Sequence, residues 1–590
     1  IVKGQIEVAG GGVSQADLNI PNGEGFIRNL LIGNQWFEDQ FGVSVNVGWQ
    51  VDTFGAAGTT PTILSALDYK YLYFWRDARN RPSGAFWWVG PDGSRTLCWR
   101  TKYGRYPMTS VDLVGMVRNL IEDEMADTLP SGSMMLHIGG DKAAPHTHLM
   151  DYIQSWNVFY AEKTGYRCKV ATPSEFFEAI EDEASGLPSY GYGQDHNPYN
   201  EGAYASYIET KVYSRLWESN AQTAELFSVL GRNVANISSI REPDELDSGW
   251  VMNSFFYHHD TVTGTSPYPV VEDFLNDYRS HSDRASKVLD DSLTSFGRQV
   301  NTTGNENSII VFNSESMNRS EIIEISIPVD LTDIPEYGEP TFDINKIGVE
   351  INQSESLEPV AAQVLSIEDY DQSVKRVNVA FQAEVDSIGY KTYGYSITYD
   401  ELTSYTSQIN HTESVNLVNI DNGEYNITWD MSKGGDITSL MRNGKELVPS
   451  GESIGLTYVD TSNDLYDMPI KDILGRTSDY TATYHLVEGP ILSEMVVNVT
   501  TDYYRLIISY KITLNNPRVD LSVNFEYLEK QYVVGNLLLM NWPWSDESAE
   551  WTNGAPYGWT DHTADRGDYR PYPATFWSAT ENTTDGLAIY

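Results

Sequence analysis

A chain of 590 residues is too long for a single hydrophobic core, and ordinary domain sizes divide it into about three or four units. Its formal charge of −44, from 83 acidic and 39 basic side chains spread along the sequence, argues against nucleic acid and anionic membrane as partners, since both bind positive surface. Two cysteines, Cys98 and Cys168, exclude a disulfide framework and a thiolate cluster, and no apolar run approaches the ~18 residues of a membrane span.

The opening "IVKGQIEVAGG" reads as a strand in mid-domain and the closing "TTDGLAIY" stops in a strand, so both ends are expected to be cut. Residues 1–185 alternate short apolar strands with helical stretches, the pattern of a parallel α/β domain, here a partial β/α barrel-like unit. Its predicted strands are 43–47, 70–75, 133–138 and 167–171. A helix follows the last of them, with Thr172 as cap, Pro173 in the first turn and Glu175 closing a capping box. Residues 186–300 read as a helical bundle, in which Tyr204, Ile208, Val212, Leu216, Leu226 and Leu230 are expected to share a stripe. From 301 to 590 alternating Val, Ile and Tyr with turn pairs such as Asn422-Gly423 and Asn443-Gly444 predict one or more β-sandwich domains. The fold class is therefore multidomain, α/β, then α, then β.

Three charged residues follow predicted strands of the first unit: Asp52, Arg76 and Asp141. Ligands of parallel α/β domains bind at the carboxyl ends of strands, so two carboxylates and a guanidinium are expected on one rim. His258, His259 and Asp260 close an apolar helical segment, and adjacent imidazoles beside an acid suit a metal. His146 and His148 are expected to be surface histidines. Paired carboxylates with a metal and an arginine point to glycoside hydrolysis, with Asp52 as nucleophile. A 12% aromatic content serves stacking on sugar rings or core packing alike. Eight Asn-x-Ser/Thr triplets lean toward export, whereas dispersed acid fits a salt-adapted cytoplasm equally, so the compartment stays open, as does the oligomeric state.

In this order, "GWQVDTFGAAGTTPTIL", "GGDK" and "HHDTVTGT" resemble the family 38 α-mannosidases, and "GQIEVAGGGVSQADLNIPNGEGFIRNLLIGNQWFEDQFG" resembles the segment before the nucleophile in microbial members. The resemblance implies a retaining, zinc-dependent enzyme acting on terminal α-mannosides of oligosaccharides or glycoproteins. Carried over by position, Asp52 is the nucleophile and a zinc contact, and Arg76 an active-site arginine. Asp141 is the general acid/base, with Gly140 where the family often has an acid. His259 is a zinc ligand, Asp260 holds mannose hydroxyls and Tyr103 contacts substrate. One Zn²⁺ per site is implied, yet the family's His-x-Asp motif on the opening strand, source of two further ligands, is missing. A fragment lacking the first strand or strands is the expectation. The alternative is a non-catalytic carbohydrate-binding or scaffold member that has lost the metal, and another barrel hydrolase is the second rival.

Overall fold

The computed structural model describes residues 6–589 except 77–81, 102–109, 123–127, 140–143, 198, 241–245, 305–306, 372, 400–408, 462–465, 467–468, 529–535, 544–549, 562–577 and 582–585. Asn22 opens helix α1 (Gly23–Phe41) by accepting the Gly25 N–H at 2.7 Å, and Gly42 ends it in the left-handed region at φ 66°. There follow β1 (Val47–Gln50), α2 (Thr60–Ala66), β2 (Tyr71–Phe74), β3 (Gly84–Val89), β4 (Arg95–Arg100), α3 (Ser110–Glu122), α4 (Leu149–Phe159), α5 (Ala161–Thr164), α6 (Pro173–Ile180) and β5 (Ser189–Gly191). The predicted capping box of α6 is present, Thr172 and Glu175 each bonding the other's backbone N–H.

The sheet runs β1-β2-β4-β3-β5. Pairs β1/β2, β2/β4 and β3/β5 are parallel and β3/β4 is antiparallel. Both faces are buried, as helix-covered sheets require. Val47, Tyr71, Tyr73, Leu97 and Trp99 lie under Phe177 and Ile180 of α6. Leu72, Phe74, Phe86, Trp88 and Cys98 lie under Phe26 and Leu30 of α1 and Ile63 and Leu64 of α2.

Three predicted strands differ. The one expected at 43–47 starts only at its last residue and is Val47–Gln50. Among the described residues neither 133–138 nor 167–171 forms a ladder, and the sheet is mixed rather than parallel. The 84–100 hairpin takes the central place, turned at Gly93 (φ 84°) while Asp92 accepts the Ser94 N–H. Segment 167–171 is held by a side chain instead of a strand: Asn157 of α4 bonds both the N–H and the carbonyl of Cys168, at 2.9 and 2.8 Å.

Helices α7 (Ile208–Val229), α8 (Asp247–Phe256) and α9 (Tyr268–Gly297) follow. The stripe expected from Tyr204 to Leu230 is not the buried face of α7: Tyr204 precedes the helix, and Leu226 and Leu230 are only half-buried. Ile208, Val212 and Leu216 are exposed, and Thr210, Ser214, Trp217, Glu218, Ala221, Ala224 and Phe227 are buried. Close packing selects this face. Trp217 fills the space above Gly249 of α8, where an added Cβ would stand 2.1 Å from the indole, and Glu218 finds three donors inside. No helix of the described residues is long and apolar enough to cross a membrane.

Beyond residue 306 the described elements are strands and short 3-10 turns. Sheets of three and four strands between Asn307 and Tyr399 share one core, and sheets within 410–446 and 482–527 share a second around Trp429, Val497 and Ile508. Asn443-Gly444, with φ 51° and 77°, makes the expected hairpin turn.

Candidate functional site

Parallel register makes the centre of the site. Gln50 of β1 lies opposite Phe74 of β2, where both strands end, and two residues further along each segment stand Asp52 and Arg76. The Arg76 Nη2 forms an ion pair with Asp52 Oδ1 at 2.5 Å, and its Cζ lies 4.8 Å from the centre of the Phe54 ring. His259 arrives from a distant part of the chain. An antiparallel bridge joins Ala16 to His258, Asp17 N–H donates to the Tyr257 carbonyl, and His259 N–H donates to the Gln15 carbonyl at 3.2 Å. His259 Nδ1 bonds that same carbonyl at 2.9 Å. A carbonyl only accepts, so Nδ1 carries a proton and Nε2 is the nitrogen turned to the site. Nε2 stands 3.5 Å from Asp52 Oδ2 and 3.7 Å from Asp260 Oδ2. The other oxygen of Asp260 accepts the Thr265 hydroxyl at 2.7 Å.

The electrostatics follow. Burial works against the charge of Asp52, but the His259 hydrogen bond and the Arg76 guanidinium outweigh it and hold the carboxyl below its usual range. Burial pulls His259 down, and Asp52, the Gln15 carbonyl and Asp260 push it up on balance. His258 is lowered by burial and by its charged neighbour His259.

The donor set fits a metal ion. Nitrogen and oxygen ligands about 2.0–2.1 Å from a tetrahedral centre stand roughly 3.3–3.4 Å apart, close to the 3.5 Å between His259 and Asp52. His258, His259 and Asp260 also offer ligand atoms within 4.8 Å of one another. Among the described residues His146 and His148 join no such set, and His148 is an exposed partner of Asp151 at 3.1 Å.

Residues 1–202 match the Glycosyl hydrolases family 38 N-terminal domain, and residues 199–296 match the Alpha mannosidase middle domain. The chain belongs to glycosyl hydrolase family 38. This family 38 chain is 25% identical over 303 residues to Alpha-mannosidase G of Dictyostelium discoideum, an alignment covering 50% of this chain and 27% of that protein. To Alpha-mannosidase 2C1 of Homo sapiens it is 24% identical over 402 residues, covering 66% and 36%. With Alpha-mannosidase E of Dictyostelium discoideum it shares 23% over 619 residues, covering 89% and 53%. The chain thus spans from about a quarter to about half the length of these curated relatives. Its fold is that of an alpha-mannosidase from Enterococcus faecalis V583, with a TM-score of 0.73, 12% identity, and coverage of 98% of this chain and 72% of that one.

The family 38 chain brings Asp52, Arg76, His259 and Asp260 together, whereas Asp141 and Tyr103 lie outside the described residues. The segment leading to Asp141 is anchored beside them, because the His137 ring stacks on Trp75 at 4.9 Å and meets Trp49 edge-on at 5.4 Å. Burial lowers the pKa of His137.

Several neighbours escaped the sequence reading. Asp17, fully buried, accepts the N–H groups of Asn19 and Ile20 at 2.8 Å, and burial raises its pKa against those bonds. Its only sequence signal is a polar triad, Asp17, Asn19 and Asn22, between apolar stretches. Tyr466, from the β-rich half, lies 6.1 Å from Phe54 and accepts the Gly202 N–H on its carbonyl at 2.7 Å, a contact with no local signature.

Proposed function

We propose that this chain carries the catalytic centre of a retaining, zinc-assisted α-mannosidase acting on terminal α-linked mannose of oligosaccharides or glycoproteins. The observation that carries the reading is one carboxylate, Asp52, held by Arg76 through Oδ1 while Oδ2 faces Nε2, the nitrogen of His259 turned to the site.

Asp52 is the nucleophile. Arg76 keeps it ionised and aimed, and the Asp52–C1 ester that forms as the glycosidic bond breaks is the covalent mannosyl-enzyme. Asp141 is the acid that gives its proton to the departing oxygen, then the base that takes one from the water that releases mannose. Asp260 and Tyr103 bind sugar hydroxyls. Thr265 orients the Asp260 carboxylate by donating to its Oδ1. Asp52 Oδ2 and His259 Nε2 would hold the zinc, which supplies a Lewis acid for vicinal mannose hydroxyls and for distortion of the ring. The Gln15 carbonyl, by keeping the proton on Nδ1, presents the His259 lone pair to that position.

The test is a zinc determination together with hydrolysis of p-nitrophenyl α-mannoside at low and high salt, with the anomer of the first-formed product read by NMR. Bound zinc, loss of activity on chelation and a first product of α configuration are expected. A first-formed β-mannose would overturn the retaining assignment, and absence of both zinc and activity would overturn the reading for this chain.

A further inference from the structure

Two side chains that the mechanism does not use stand at the ends of the stretch entering α7. Tyr204 Oη lies 2.5 Å from the carbonyl of Phe54, on the turn that follows Asp52. Asn19 Nδ2 donates to the same hydroxyl at 2.8 Å, and Asp17 Oδ2 lies 3.0 Å from it. Asn19 and Asn197 exchange amide hydrogen bonds, and Asn197 reaches the Ala56 carbonyl at 3.4 Å. Buried side chains thus grip the backbone of the Asp52 turn at Phe54 and Ala56.

The other end grips the histidine loop. Lys211 Nζ donates to the Ser206 carbonyl and to the Thr263 carbonyl, the latter at 2.7 Å. Thr210 Oγ1 lies 2.8 Å from the Val262 carbonyl, and the Thr263 hydroxyl donates to the carbonyl of His259 itself. An added Cβ on Gly264 would stand 2.7 Å from Ser206 O, so loop and clasp are in contact without slack. Between the two grips Tyr207 is held at φ 43°, a conformation that persists in a non-glycine residue only where its surroundings fix it.

We propose that residues 204–211 form a clasp that fixes the separation of the Asp52 turn and the His258–Asp260 loop, with Tyr204 and Lys211 as the positioning residues at its ends. The proposal rests on the reading of Asp52 and His259 as one site. The two residues belong to separate backbone pairings, since β1 pairs with β2 and the histidine loop pairs with 15–17. A clasp on carbonyls acts on the φ and ψ of both segments, which is what sets a donor separation to tenths of an ångström.

The experiment is hydrogen exchange by mass spectrometry on the full chain, for Tyr204→Phe, Lys211→Met and the double variant. Kinetics on p-nitrophenyl α-mannoside are measured alongside. Each single variant is expected to speed exchange about tenfold in the peptide after Asp52 and also in the peptide spanning 258–265. The double variant is expected to add less than the product of the two, because one connection fails twice. Lys211→Arg, which retains N–H donors for both carbonyls, is expected to restore most of the protection. Loosening confined to each variant's own side would overturn the clasp, as would loosening spread evenly through the whole of α7. In the kinetic arm kcat should fall at least tenfold with KM within about threefold. Inactive wild-type protein sinks the mannosidase reading, while the exchange result still decides the clasp.

Discussion

Glu218 tests how the helical region supports the histidine loop. Its carboxylate is fully buried on α7, where Oε1 accepts the Asn22 N–H at 3.0 Å and the Tyr257 hydroxyl at 2.6 Å. Oε2 takes the Arg215 guanidinium, whose Nη2 also donates to the Ile20 carbonyl at 2.6 Å. Burial raises the pKa of Glu218, opposed by Arg215 and Tyr257. Glu218→Gln keeps the shape and the two bonds at Oε1, but turns an amide N–H toward the guanidinium. Removing one partner of a buried pair costs about 3–5 kcal/mol. The Arg215 side chain is 28% exposed and can turn to water, so the lower end applies, ~3 kcal/mol or about a 150-fold rise in local opening. Glu218→Ala also strands the Tyr257 hydroxyl and the Asn22 N–H, at about 1–3 kcal/mol each, for a total of roughly 5 kcal/mol or more. A chain of several units does not unfold in one step, so the assay is native-state hydrogen exchange of the first turns of α1 and of α7. A rise below about fivefold in Glu218→Gln would refute the reasoning. So would a double variant, Arg215→Met with Glu218→Leu, that stays as loose as Glu218→Ala, since two apolar replacements remove the desolvation cost along with the pair.

Three further outcomes are expected. Asp52→Asn should lower kcat on p-nitrophenyl α-mannoside by on the order of 10³-fold or more while circular dichroism stays native, and a drop of less than tenfold would remove Asp52 from the nucleophile's role. Asp141→Asn should slow methyl α-mannoside hydrolysis far more than that of an activated aryl mannoside, whose leaving group needs no proton; equal losses would count against an acid role. In the β-rich half, burial pushes the Asp436 carboxyl up to about 6, against the hydroxyls of Thr477 and Ser453. Between about pH 4 and pH 6 the folded state holds the extra proton, so stability falls as pH rises through that window, by on the order of 3 kcal/mol. Asp436→Asn should flatten that decline in the thermal unfolding of the β-rich transition, and an unchanged slope from pH 4.5 to 7 would reject the assignment.

What was legible in the sequence was whatever local chemistry writes down. Thr172, Pro173 and Glu175 specify a helix start by themselves, and Asn443-Gly444 specifies a turn that only residues tolerant of positive φ can make. Asp52 and Arg76 were legible as a pair because each follows an apolar strand, and parallel register carries the pairing two residues beyond both ladders. The failures share one cause, which is that a side chain elsewhere decided the outcome. Segment 167–171 looks like a strand but is satisfied by Asn157. Ile208, Val212 and Leu216 have helical spacing, yet α7 turns them outward because Glu218 and Trp217 have better partners inside.

The same cause accounts for the part of the site that no motif announces. His259 has its proton on Nδ1 because of a carbonyl at Gln15, and the Asp52 turn is gripped by a hydroxyl at Tyr204. Neither Gln15 nor Tyr204 needs a particular neighbour in sequence to do this. They need a fold that brings the two segments within hydrogen-bonding reach. The residues proposed to react were therefore readable from type and spacing, whereas the side chains that hold their backbone became visible only once the chain was folded.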